Sequence, residues 1–136
     1  MEREPTRLQQ NKIELDLNKP TGNFDFKGFR VHYNLDTKTQ DDMNAEYPAD
    51  FAVTQDSHGG GESLSIWIWE GVPQKFKEVL LHHELIEADL KLNQGLPQKE
   101  AHKTAFDSHM QYAKEYLSQE GYDEFIQWQN KIKFHD

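Results

Sequence analysis

The chain has 136 residues, the size of one domain, and carries a net charge of −9 with 35% hydrophobic and 12% aromatic residues. That balance predicts a folded domain with a modest core, and it argues against a nucleic-acid backbone as the principal partner, since phosphate binding needs basic patches. There is no cysteine, so disulfide frameworks and thiolate metal sites are excluded and any metal must be held by His and carboxylates.

Residues 1–11 read as a polar arm ahead of a single domain over 12–136. The start, MEREPTRLQQNK, lacks the apolar core of a secretory signal, and no apolar run reaches the roughly 20 residues that span a bilayer. A cytoplasmic protein with no membrane partner is the expectation. KIELDL (12–17) alternates as a short strand. NFDFKGFRVHYN (23–34) reads as a hairpin, with Phe24 and Phe26 on one arm, Lys27-Gly28 at the turn, and Phe29, Val31 and Tyr33 on the other. Residues 35–49 read as polar loop, and DFAVTQ (50–55) as a strand. DSHGGGES (56–63) reads as a flexible loop. SLSIWIWE (63–70) alternates strictly, with Leu64, Ile66 and Ile68 on one face and Trp67 and Trp69 on the other.

From Pro73 the period becomes helical. Phe76, Leu80, His83, Glu87 and Leu90 share one face, and Gly95 with Pro97 marks the stop. A second helix is expected from about Pro97 to Leu117, with Gly121 beyond it, and a third from about Tyr122 to Phe134. Strands first and helices after is the order of an α+β fold, a small, mostly antiparallel sheet followed by two or three helices.

Within the first helix, VLLHHELIEADL (79–90) places His83 and Glu87 four residues apart, one turn and about 6 Å along the same face. Two side chains so placed can converge on one ion. Glu84, next in the chain, can reach a water at such an ion without ligating it, which is the logic of the H-E-x-x-H motif, here with Glu87 in the second ligand position. The ordinary alternative for His83 and Glu87 is a surface ion pair.

The strand SLSIWIWE followed by the helix VLLHHELIEADL resembles the active-site region of the zincin metallopeptidases. In that superfamily the strand lies beside the cleft and can pair with an extended substrate. The compact order of elements resembles the minimal members of the gluzincin branch, where the third ligand comes from the following helix. The resemblance implies zinc-dependent hydrolysis of peptide bonds, with Glu84 as general base and a peptide or protein as substrate. It covers about residues 63–117, and Glu87 departs from the family's second histidine.

That departure removes a neutral nitrogen donor, which the second helix can restore. It offers His102 and His109, 19 and 26 residues after His83. His102 gives the set His83, Glu87, His102, chemically a His₂Glu zinc site. His109 is the substitute, because in a strictly antiparallel pair it lies opposite His83, while His102 lines up nearer Glu87. His82 points about 100° away from His83 and reads as structural or supporting; His32, His58 and His135 read as structural or loop residues. Rivals remain. An acidic interaction or inhibitor module suits the charge and an exposed Trp67 and Trp69. An inactive zincin-like metal-binding protein suits the altered motif, and a histidine-based nuclease with His102 and His109 as acid and base is disfavoured by the charge. A di-iron carboxylate protein would need paired helices carrying Glu-x-x-His. The sequence is silent on oligomeric state.

Overall fold

The computed structural model describes residues 19–38, 48–55 and 62–131. The expected strand at 12–17, the arm at 1–11, His58 and His135 lie outside them. Among the described residues four strands precede three helices: β1 (Thr21–Phe26), β2 (Phe29–Thr37), β3 (Ala49–Gln55), β4 (Glu62–Trp69), α1 (Gln74–Leu92), α2 (Gln98–Tyr116) and α3 (Gln119–Asn130). The fold is α+β. The sheet order is β1-β2-β4-β3. β1 pairs antiparallel with β2, and β3 antiparallel with β4, while β2 and β4 run parallel.

The hairpin forms where the alternation demands it. Lys27 (φ 46°) and Gly28 (φ 90°) both take positive φ, the conformation that two-residue hairpin turns require because it matches the strand twist. β2 runs three residues past the expected end at Asn34. Leu35 and Thr37 continue the inward alternation and are buried, so the polar look of LDT conceals a strand end. Phe29, Val31, Leu35, Leu64, Ile66 and Ile68 make the sheet's inner face. The opposite face of β4 is half-covered, and Trp69 packs against the core. Neither Trp67 nor Trp69 is an exposed docking surface.

β4 is interior, hydrogen-bonded on both sides. It therefore cannot add a substrate strand, as the resemblance would have it. Among the described residues the edge strands are β1 and β3.

α1 is buried on every side from Phe76 to Leu90, Glu78 excepted. Its apolar residues (Phe76, Leu80, Leu81, Leu85) join the sheet core. Gly95 takes φ +70° and the Leu96 N–H reaches back to the Leu90 carbonyl at 2.9 Å, closing the helix end and reversing the chain. α2 then returns against α1 along Ala101, Ala105, His109, Tyr112 and Ala113. Ala101 and Ala105 pack on Ile86 and Leu90. Their small side chains allow the close approach that lets polar groups bridge the two helices. α3 begins at Gln119, earlier than expected, because the Ser118 side chain accepts from the Gly121 N–H at 3.0 Å, an N-cap bond. Gly121 is thus in the first turn of α3.

Candidate metal centre

A helix buried all round is normally apolar. α1 instead buries Lys77, His82, His83, Glu84, Glu87 and Asp89. Two of these have fixed opposite charges beside them. Lys77 Nζ lies 2.6 Å from Asp36 Oδ1 of β2, and Asp89 Oδ2 lies 3.3 Å from Lys27 Nζ at the hairpin turn. These pairs tie the helix to the sheet.

The middle of the helix is different. His83 is 2% exposed and Glu87 0%, so they are no surface ion pair. His83 Nε2 stands 3.2 Å from Glu87 Oε2. Across the seam, His102 Nδ1 lies 3.9 Å from Glu87 Oε1, and the His83 and His102 rings meet at 5.1 Å. Ligand atoms of His83, Glu87 and His102 all lie within 4.8 Å of one another, the group among the described residues able to hold a metal. Gln98, one turn before His102, donates to Glu87 Oε1 at 2.7 Å, which leaves Oε2 facing His83.

The register explains the division of labour along α2. The helices run antiparallel, so His102 meets Glu87, His109 meets His83 and Ser108 meets His82. His109 Nδ1 lies 2.8 Å from His83 Nδ1, at the rear of the ring, and its Nε2 lies 2.6 Å from Gln129 Oε1 of α3. His109 therefore backs His83 and does not join the three-residue group. Burial, then the neighbouring His83, lowers its pKa to about 3. His82 Nε2 lies 2.9 Å from Ser108 Oγ and its ring stacks on Tyr112 at 4.4 Å. Burial, then His83, lowers the His82 pKa to about 4. Both rings are neutral at physiological pH. Glu84 is 1% exposed and outside the converging group.

No protein-family model, curated protein or solved structure matches this chain. The chemistry of the donors must carry the assignment. Tetrahedral zinc with bonds of about 2.0–2.1 Å holds neighbouring ligand atoms about 3.3 Å apart. The 3.2 Å between His83 and Glu87 meets that spacing, and the ligand atoms of all three residues lie within 4.8 Å of one another. Two imidazoles and a carboxylate are a donor set able to hold a divalent metal ion.

Of the residues that the sequence singled out, His83, Glu87 and His102 come together. Gln98 and Gln129 were not singled out. Gln98 sits four residues before His102, a spacing that puts it on the same face, whereas Gln129, which follows the helical period of Phe125 and Ile126, is 46 residues from His83 and carries no signal of its contact with His109. No helix among the described residues is long and apolar enough to cross a membrane.

Proposed function

We propose that the protein is a zinc-dependent hydrolase of peptide bonds, related in its logic to the zincins, with His83, Glu87 and His102 holding the metal and Glu84 acting as general base. The observation that carries this reading is the convergence of three donor atoms from two helices within 4.8 Å. The donor set is that of catalytic zinc sites with three protein ligands and a fourth position for water or substrate. Zinc held there supplies Lewis acidity toward a carbonyl oxygen and acidifies water.

The side chains have separable tasks. Gln98 anchors one oxygen of Glu87 and so fixes which lone pairs face His83. His102, 15% exposed on its side chain and the most open of the three, also lines a groove of about 600 Å³ with Gln98, Lys99, Lys103 and Phe106. This groove on α2 is the proposed approach for a peptide. Glu84, beside His83 in the chain, takes the proton of the attacking water and delivers it to the leaving amine. Glu84→Gln tests the assignment. Zinc stoichiometry and fold are expected to persist while cleavage of a peptide library falls by about 10²–10⁴-fold. Zinc-loaded wild-type protein that cleaves nothing in the library would remove the peptidase reading, and an emptied site in the variant would make Glu84 a ligand.

The near-complete burial of His83, Glu84 and Glu87 favours one second reading, a structural zinc that pins α1 to α2. That reading expects bound zinc without hydrolysis and slow loss of the ion to a chelator.

A further inference from the structure

Behind the three-residue group lies an ordered chain of polar contacts through α1, α2 and α3. Gln129 of α3 is buried, and its amide is oriented by two different neighbours. Nε2 donates to Met110 Sδ at 3.2 Å, and a thioether sulfur can only accept. Oε1 is thereby turned to His109 Nε2, 2.6 Å away. An amide oxygen also only accepts, so His109 Nε2 carries a hydrogen.

The other nitrogen of His109 meets His83 Nδ1 at 2.8 Å, a contact with room for one hydrogen. Its owner follows from the charge of His109. That ring is 0% exposed, with Phe106 and Phe125 set edgewise against it at 4.7 and 5.8 Å. An imidazolium in this dry, aromatic setting, touching another histidine, would be costly. A neutral His109 with hydrogen on Nε2 has a lone pair on Nδ1, and the shared hydrogen belongs to His83.

We propose that Gln129 and His109 form a positioning relay that fixes a hydrogen on Nδ1 of His83 and so turns its Nε2 lone pair toward Glu87 and His102. The purpose rests on the metal reading above, whereas the hydrogen placement stands without it. Imidazole ligands of metals generally donate their second N–H to an acceptor that fixes tautomer and ring orientation. Here the acceptor is another imidazole, held in turn by an amide. The relay gives α3 a functional task, although it contributes no ligand. Without it, His83 is free to place its hydrogen on Nε2, directed at the site where the metal would sit.

The relay is tested first on metal-free, ¹⁵N-labelled full-length protein at neutral pH, by long-range ¹H–¹⁵N correlation of the imidazole rings. Hydrogens are expected on His83 Nδ1 and His109 Nε2, with His109 Nδ1 bare. A hydrogen on His109 Nδ1 overturns the proposal, whatever the protein does with metal. A second measurement uses Gln129→Leu, which keeps most of the bulk and removes the acceptor. Zinc affinity, read by chelator competition, is expected to fall about 10–100-fold, with His109 populating both tautomers. Unchanged affinity in this variant, beside a wild type that binds zinc, overturns the relay. A wild type that binds no zinc removes the metal reading instead, and the hydrogen positions still decide the relay.

Discussion

His102→Ala and His109→Ala separate metal binding from stability, because the two histidines occupy the same helix in opposite roles. His102 is partly exposed and meets Glu87 at 3.9 Å. Removing it costs about 0–1 kcal/mol, as for a weak, partly solvated pair, but deletes a ligand. His109 is fully buried and bonded at both nitrogens. Its loss strands His83 Nδ1 and Gln129 Oε1, at about 1–3 kcal/mol each, and leaves a cavity between Phe106 and Phe125. A total of about 4–6 kcal/mol is expected, a large share of the roughly 5–15 kcal/mol that holds a domain together. Urea unfolding in a chelator measures the stabilities, and elemental analysis of folded protein after incubation with excess zinc measures the metal. His102→Ala should be stable and empty. His109→Ala should be fragile but able to take up about one zinc while folded. Full zinc in the first variant and none in the second would refute the ligand set and make His109 the third ligand.

Two further outcomes follow from the same geometry. Zinc at 100 times its dissociation constant should stabilise the wild type by about 2.7 kcal/mol, or about 10 °C in Tm for a domain of this size, and His83→Ala should abolish the shift; an unchanged wild-type Tm counts against any site. The metal-free protein should also lose stability on acidification. His82 and His109 have folded pKa values lowered to about 4 and about 3 from 6.5, so below pH 6.5 the unfolded chain binds protons that the folded chain refuses. Stability is therefore complete above pH 6.5 and falls as pH drops toward 4 and then 3, by about 3 kcal/mol through His82 alone. The interval from pH 6.5 to 5 lies above the ordinary carboxylate range, and a flat stability profile there would contradict the buried neutral histidines.

The legible parts of the molecule were those with a local period. Phe24 to Tyr33 alternate about a Lys-Gly turn, and the hairpin forms there. Phe76 to Leu90 repeat at helical spacing, and α1 follows. His83 and Glu87 share a face by arithmetic, and the Gly95 turn returns α2 so that His102 reaches Glu87. The burial of Lys77, Glu84 and Asp89 was not legible. It depends on Ala101 and Ala105 admitting α2 close to α1, and on Asp36 and Lys27, which are 41 and 62 residues away in the chain. His109 reads as the substitute for His102, and in the fold it meets His83; its second contact, with Gln129 on the periodic face of α3, joins two helices and has no signal in either one alone. Leu35 and Thr37 read as loop because a buried threonine at a strand end has the composition of a turn.

The contrast between the two kinds of buried charge on α1 yields a last prediction. Lys77 and Asp89 each meet a group of fixed opposite charge. Glu87 instead meets the Gln98 amide and two imidazoles, groups whose charge is absent or conditional. If Glu87 serves the fold as one half of an ion pair with a protonated His83, removing its charge strands an imidazolium in a dry site. Breaking a buried pair in this way costs about 3–5 kcal/mol. If Glu87 serves a metal, its charge is a burden to the metal-free fold. Glu87→Gln keeps the shape and still offers Gln98 an amide oxygen. The metal-free variant should then match the wild type or exceed it by about 1 kcal/mol, while zinc affinity collapses because a neutral amide is a poor zinc ligand. Both quantities come from one pair of urea titrations, with chelator and with excess zinc. A loss of about 3 kcal/mol or more without metal would identify a structural ion pair and remove the reason for placing zinc there.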